Sequence, residues 1–577
     1  MTIIRSPYPD IVVPSTSLPE FLFGSLSPQD AARPAVVTAD AERGYTFGEL
    51  ADAVGKVAGA LAGRGLGRGA VAALFAPNSP DYPVIFHGVL ASGAAVSPAN
   101  ALYTPAELAH QLRDAGASIL FTDTDGLDRA RLAAAEDGVA VSEIVVLDHQ
   151  PQTHQPQTQT TPNFPRVGVL STLSRPSQHA PAGASHPNRT GITETGFVEF
   201  LAEAGPPPRL QIDPEDLAAL PYSSGTAGRS KGVMLTHRNL VANLLQLRPM
   251  GRIDADSRLL AALPLFHIYG LTGIMNQGLH QRALVVTMPR FDLAGFLAAI
   301  AKHRIDHLHI APPIALALAK SPLVDDYDLS SVRILVSAAA SLDAGLAKAV
   351  ADRLGATVLQ GYGLTESSPG THGIPHDRPD IDLGSIGVPM PNVEARVVDP
   401  ATGRDVAAGE RGELWCRGPN IMRGYLNNPT ATAATVDRDG FLHTGDVVTV
   451  DSGGVFRVVD RLKELIKYKG YQVAPAELEA LLLGHPGVAD AAVIGVPDPE
   501  CGELPKAYVV RRDSHAELDA NELMAYLADR VAPHKKVRLV EFIERIPKSA
   551  AGKILRNQLR GRETVADGLA SPARVGR

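Results

Sequence analysis

The stretch Ser223-Ser224-Gly225-Thr226-Ala227-Gly228-Arg229-Ser230-Lys231-Gly232 combines small residues and hydroxyls with one lysine. Backbone N–H groups of a Gly-rich turn, hydroxyls and an ammonium make an anion nest without needing a helix to follow. The stretch fails the GxxxxGK[ST] spacing of the P-loop, because Ser230-Lys231-Gly232 stands where Gly-Lys-hydroxyl is required. Gly-Ser-Thr loops are also common as plain turns, so the loop alone leaves phosphate binding and a flexible connection both open. Four further stretches supply carboxylates and lysines: GYGLTESSPGTH (361–372), GFLHTGDVV (440–448), DRLKELIKYKGYQVAPAELEALL (460–482) and PKSAAGKILR (547–556). Taken singly, each has a plain reading as a buried glutamate, a loop aspartate or a solvated lysine.

The elements around these stretches are legible from periodicity. In FDLAGFLAAIAKHRIDHLHIAPP, Asp292 can N-cap a helix whose Leu293, Phe296, Leu297 and Ile300 share one face. His307 to Ala311 then reads as a buried strand closed by Pro312-Pro313. RALVVTMP and SVRILVSAAA repeat the apolar-run pattern, which predicts α/β layering with mostly parallel sheet in a large N-terminal domain over 1–460. After Asp460, APAELEALLLGHPGV reads as a helix with Pro475 near its start and Gly484 past its end. DAAVIGVPD and KAYVVRR read as strands and NELMAYLADRVAPH as another helix, giving a small α+β C-terminal domain over 461–577. Residues 150–192 are rich in Gln, Thr, Pro, Ser and His; such a segment cannot bury enough apolar surface to offset its ordering entropy and is expected to be a disordered insertion.

Bulk composition narrows the class. A chain of 577 residues exceeds what one core normally organises. Apolar residues at 45% and charged residues at 20% fit a globular protein. A net charge of −8 gives no reason to expect nucleic acid or an anionic membrane as partner. No apolar run approaches a membrane span; no signal peptide is expected, since MTIIRSPYPDIVVP has no positive n-region followed by an apolar h-region, and PARVGR does not read as an SKL-type peroxisomal address. Two cysteines, Cys416 and Cys501, are too few for a disulfide framework or a zinc site. A cytoplasmic enzyme is expected, of undetermined oligomeric state.

The motifs together carry a resemblance. PYSSGTAGRSKGVMLTHRNL (221–240), LPLFHIYGL (263–271) and the four stretches above, in that order, resemble the core motifs of the acyl-adenylate-forming (AMP-binding) superfamily. The wording of KELIKYKGYQVAPAELEALL and LPLFHIYGL is most similar to 4-coumarate:CoA ligases and their bacterial relatives. The resemblance covers nearly the whole chain apart from the insertion. It implies an ATP-dependent acid:CoA ligase: a carboxylate attacks the α-phosphorus of ATP to give acyl-AMP and pyrophosphate, and the acyl group then passes to the CoA thiol. The first barrier is repulsion between carboxylate and triphosphate, which converging cations and N–H donors lower.

The resemblance also implies roles. Ser223, Ser224, Gly225, Thr226, Ala227, Gly228 and Lys231 would cradle the β- and γ-phosphates, with Ala227 leaving one side-chain hydrogen bond of ~1 kcal/mol unmade. Gln360, Gly361 and Tyr362 would receive adenine, with Tyr362 stacking on it. Thr365 would meet the α-phosphate, and Glu366, assisted by Thr226, would hold Mg²⁺. Asp446 would accept from both ribose hydroxyls with Arg461 assisting, and Lys553 would bridge carboxylate and α-phosphate. The C-terminal domain would rotate about a hinge near Lys463, withdrawing Lys553 and presenting Lys467, Lys469, Gly470 and Gln472 to the second half-reaction, with Arg290 a candidate for a CoA phosphate. His267 would gate carboxylate entry and assist thiol attack, a role suited by a charge change near neutral pH. Intact Lys231, Glu366, Asp446 and Lys553 argue against a non-catalytic nucleotide sensor.

The acyl slot carried over by the resemblance comprises Tyr269, Gly273, Ala339, Gly361, Gly363, Pro369, Gly370 and Thr371. Its small residues suit a flat aromatic ring, and Tyr269 would hydrogen-bond a phenolic hydroxyl. SAAASLD (337–343) departs from the family's SGAAPLG, and Gly370-Thr371 replace bulkier residues. Size alone discriminates by only ~1–3 kcal/mol per methylene. The expected substrate is therefore 4-coumarate or cinnamate, with a medium- or long-chain fatty acid as the alternative.

Overall fold

The computed structural model of the chain describes residues 3–148, 191–223, 230–469, 471–498, 500–549 and 552–569. Most of the expected insertion, together with Ser224, Gly225, Thr226, Ala227, Gly228 and Gly470, lies outside the described residues.

Among the described residues, two nine-stranded sheets form the body of the larger domain. In one, the Leu217–Ala219, Ala95–Pro98, Val71–Phe75, Ile119–Thr122, Glu143–Val146 and Thr193–Gly196 strands run parallel, and Lys231–Thr236 joins the edge antiparallel. In the other, Thr357–Gly363, Ile334–Ser337, His307–Ile310, Arg258–Ala261, Leu284–Thr287 and Pro34–Thr38 run parallel. Such strands are buried on both faces, which is why the apolar runs are continuous rather than alternating.

The helix expected after Asp292 spans Leu293–His303, and the Asp292 carboxylate accepts from the Gly295 N–H at 2.7 Å. Phe296, Leu297 and Ile300 are fully buried, each contributing ~1.5–3 kcal/mol of transfer free energy. Pro312-Pro313, expected to close the preceding strand, instead open the Pro312–Lys320 helix, a position where a missing N–H costs nothing.

Residues 394–461 depart from the expected layering. Ile4–Arg5, Glu394–Val398, Gly412–Arg417, Leu442–Val450 and Phe456–Arg461 form a wholly antiparallel sheet. Its last two strands are joined by a tight turn at Asp451–Gly454, too short for a parallel crossover.

The smaller C-terminal domain has its own sheet, ordered Tyr471–Val473, Ile466–Tyr468, Gly502–Arg511, Val488–Asp498, with Leu539–Phe542 added parallel to Gly502–Arg511. The expected helices are Pro475–Leu483 and Ala520–Ala528. Gly484 does follow the first, in right-handed rather than left-handed backbone. Leu478, Leu482, Val493, Val509, Leu523 and Leu527 fill a core separate from that of the larger domain. No helix among the described residues is long and apolar enough to cross a membrane.

Candidate active site

The strand pair Leu442–Val450 and Phe456–Arg461 sets Asp446 opposite Arg461, and the two side chains meet at 3.2 Å. Asp446 is 3% exposed and also accepts a hydrogen bond from the Tyr362 hydroxyl at 2.6 Å. Burial pushes its carboxyl above the ordinary aspartate value, while Arg461, Tyr362 and Lys553 pull it back. Further O–H donors would favour the ionised form, so a sugar diol suits this carboxylate.

Tyr362 reaches Asp446 because Gly361–Gly363 leave the parallel sheet and pair antiparallel with Gly370–Gly373. Gly363 permits that hairpin: a Cβ there would run into the Pro369 carbonyl. Asn243 fixes the return strand, its side chain bonding Gly370 N at 3.1 Å and Gly370 O at 2.8 Å. A Cβ on Gly361 would meet only the Ala338 methyl, at 3.9 Å; Ala339 is exposed, while Thr371 is fully buried and bonds His372. The Gln360 amide is already engaged with the Leu342 backbone and the Leu383 carbonyl, so its side chain pins the 338–343 loop instead of facing the cleft.

Lys231 and Glu366 converge through a residue that sequence reasoning missed. The Lys231 ammonium lies 3.9 Å from the centre of the Tyr425 ring, and the Tyr425 hydroxyl donates to Glu366 Oε1 at 2.7 Å. Tyr425 reaches them because Gly424–Tyr425 pairs with the Lys231–Thr236 strand; nothing in the local sequence RGYLNN signals that pairing. Ser223 pairs with Lys231 across the mouth of the hairpin, and its buried hydroxyl has no partner among the described residues. Thr365 and Glu366 share one short 3-10 turn.

Among the described residues no cluster of three His, Cys, Asp or Glu side chains could cage a metal. A single carboxylate beside a lysine-bearing hairpin is instead the donor set for Mg²⁺, which takes one or two protein carboxylates and completes its shell with water and phosphate oxygens. The residues present fit that ion, which Glu366 would hold through its carboxylate.

Lys553 enters from the other domain. Ser549 and Lys553 close a tight loop through Ser549 N to Lys553 O at 2.8 Å, and Gly552 carries φ of +79°. A Cβ on Gly552 would sit 3.2 Å from Pro313 and 3.4 Å from Ala311, so glycine lets the loop dock on the larger domain. The docked ammonium is pushed down to about 8, first by burial and then by Arg461, while Glu464 and Asp446 favour its charge. Three residues on, Arg556 binds Glu464 at 2.6 Å and Glu479 at 2.6 Å, anchoring the segment from which Lys553 projects.

His267 lies at the junction of these parts. Its Nδ1 accepts from the Tyr269 N–H at 3.3 Å, which leaves the neutral ring's proton on Nε2. Burial, reinforced by the nearby Lys553 ammonium, pushes its pKa down to about 4. The expected charge change near neutral pH is therefore absent in this arrangement, since two effects disfavour a second cation there. Tyr269 opens a π-helical stretch, Tyr269–Asn276, and its hydroxyl donates to the Val336 carbonyl at 3.0 Å.

Other expected residues stay apart from this constellation. Lys467, Lys469 and Arg290 are exposed, and none is among the groups that shift Asp446, His267 or Lys553. Lys467 pairs with Gln472 in a hairpin whose tip is held by Lys469 N to Cys501 O at 2.8 Å. Lys463 is exposed on the turn joining the domains.

The sequence model for the AMP-binding enzyme matches residues 27–426, and the model of its C-terminal domain matches residues 477–553. The chain belongs to the AMP-binding enzyme family. Within that family it is 37% identical over 570 residues to 4-coumarate-CoA ligase 1 of Narcissus pseudonarcissus, covering 97% of this chain and 96% of the relative. Among solved AMP-binding structures, ATP-bound MatB from Rhodopseudomonas palustris superposes with a TM-score of 0.81 at 29% identity, covering 95% of this chain and 99% of that one. The anthranilate CoA ligase AuaEII with anthranoyl-AMP gives a TM-score of 0.81 at 26% identity over 97% of this chain and 99% of that one. The chain is thus an ATP-dependent acid–CoA ligase.

Proposed function

We propose that the protein activates 4-coumarate or a closely related cinnamate as the acyl-adenylate and transfers the acyl group to CoA. The observation that carries the reading is the docking of the Lys553 loop on Ala311 and Pro313 of the larger domain, which brings the Lys553 charge to bear on Asp446 and His267. In the first half-reaction the nucleotide ribose lies on Asp446 and its triphosphate on the 223–232 stretch and Lys231. Bound Mg²⁺ on Glu366 would neutralise phosphate charge. The Lys553 ammonium sits between the incoming carboxylate and the α-phosphate, offsetting the charge that accumulates as the oxygen attacks and pyrophosphate leaves.

In the second half-reaction the C-terminal domain turns about the Lys463 hinge. Lys553 withdraws, which relieves its burial, and Lys467 and Lys469, both exposed, come to the cleft with Gly470 and Gln472. CoA then enters past His267, with Arg290 available to its phosphates. Departure of the ammonium removes one of the two effects that lower His267, bringing that imidazole closer to a proton-accepting range.

Support for an aryl acid comes from the slot and from the full-length similarity to a 4-coumarate–CoA ligase. The residues proposed for the slot include Tyr269, Gly273, Ala339, Gly363 and Gly370, and the Gly273 position packs directly against the Tyr269 ring. The test is incubation of the purified protein with ATP, Mg²⁺, CoA and a panel of hydroxycinnamates, benzoates and C6 to C16 fatty acids, with mass identification of the thioesters. Turnover of hydroxycinnamates above all others is expected. Turnover restricted to octanoate and longer acids would overturn the aryl assignment while leaving the ligase class intact.

A further inference from the structure

His307 and His309 lie on the same strand and point to the same face, yet only one is satisfied. His307 meets Asp306 at 3.0 Å and the Gly251 carbonyl at 3.1 Å. His309 is 7% exposed, and both of its ring nitrogens lack a partner among the described residues. Buried polar groups are nearly always hydrogen-bonded, and leaving one unmade costs roughly 1–3 kcal/mol. An imidazole with two open positions is therefore arranged for something that arrives later.

Its surroundings say where that partner comes from. The His309 ring centre is 5.9 Å from that of Tyr269, and a Cβ on Gly273 would lie 3.9 Å from His309 Nδ1. Tyr269 and Gly273 are among the residues proposed above for the acyl slot, and a side chain at 273 would enter the gap between the Tyr269 ring and the imidazole. Two residues further along the strand, Ala311 receives the loop that carries Lys553. At about 3.3 Å per residue, His309 stands roughly 6–7 Å deeper along the strand than that docking point. His309 therefore stands behind that docking point, beside Tyr269 and Gly273.

We infer that His309 is a specificity-determining residue that reads an oxygen substituent at the distal end of the acid, selecting a phenolic acid over its unsubstituted hydrocarbon counterpart. This inference rests on the aryl-acid reading above. A phenolic hydroxyl can donate to the unprotonated imidazole nitrogen, or accept from the protonated one. The neighbouring Tyr269 oxygen, which spends its own proton on Val336, can accept as well. Burial pushes the His309 pKa down to about 3, so the ring stays neutral and keeps one donor and one acceptor. An acid lacking the oxygen would bury the imidazole with both positions unmet. A site built for a hydroxyl rejects such an analogue far better than a plain apolar pocket can.

The experiment compares kcat/KM for 4-coumarate, cinnamate and octanoate in the wild-type protein, His309→Leu and His309→Gln, with melting temperature and ATP binding measured on each. The wild type is expected to favour 4-coumarate over cinnamate by at least about tenfold. His309→Leu should collapse that ratio to within about threefold by losing 4-coumarate turnover while keeping cinnamate turnover. His309→Gln, which retains a donor and an acceptor, should preserve part of the preference. A wild-type ratio near one, or an unchanged ratio in His309→Leu, would overturn the role of His309 while the aryl-ligase reading stood. Turnover of octanoate alone would overturn both. A wild-type ratio near one would refute the inference even if a variant fails to fold.

Discussion

Replacing Arg556 by methionine keeps the length of the side chain and removes the charge that Glu464 and Glu479 share. Each partner in these pairs is 10% exposed, and the contacts are 2.6 Å. Removing one member of a buried ion pair costs about 3–5 kcal/mol, because the remaining charge is left uncompensated. For a domain of about 100 residues, that loss lowers the melting transition by more than about 10 °C. The deficit should depend on pH in a defined direction. Burial raises Glu479, and it raises Asp460 to about 7, while Arg556 holds both down. A carboxyl whose folded pKa is raised binds more protons folded than unfolded, so its stabilising contribution is present at low pH and is lost as pH climbs through the folded value. Without Arg556 the folded values rise further, and the variant's deficit should be small near about pH 5 and full near about pH 8. Scanning calorimetry of the intact chain at both pH values measures this. Equal shifts at the two pH values, or a shift within about 3 °C at the higher one, would refute the reasoning.

Lys553, held at about 8 before nucleotide binds, should impose an alkaline limb on kcat/KM for ATP in the adenylation half-reaction, since raising pH removes the cation that step needs. Lys553→Arg stays charged and should lose that limb; a limb shared by both proteins would contradict the assignment. Tyr362→Phe removes the hydroxyl bonded to Asp446 at 2.6 Å but keeps the ring. It should raise KM for ATP about tenfold, the weight of one hydrogen bond to a charged group. Tyr362→Leu should raise it further by losing the stacking face, and equal effects in both variants would argue against that face.

The parts of this molecule that the sequence announced are those with strong local signals. Asp292 as a cap, the continuous apolar strands and the six motif stretches all act within a few residues of themselves. Relations made by long-range pairing were silent. Tyr425 links Lys231 to Glu366 only because a two-residue strand joins a hairpin nearly two hundred positions earlier. His309 read as one residue of a buried strand, and its open nitrogens became visible only once Tyr269 and Gly273 packed beside it. The antiparallel sheet over 394–461 was hidden because its strands carry apolar runs on both sides, as in EARVV and DVVTV, that do not announce their pairing direction. The pKa of His267 depends on a lysine from another domain, which no local pattern encodes.

The account rests on a lysine delivered by one domain to chemistry housed in the other, and Lys553→Ala tests it with the two half-reactions measured separately. ATP–pyrophosphate exchange should fall by about 10²–10³ or more, the weight of a preorganised group at developing charge. Thioester formation from supplied coumaroyl-AMP and CoA should stay within about threefold of wild type, because Lys553 is withdrawn during that step. Equal loss in both half-reactions, or no loss in the exchange, would contradict the account.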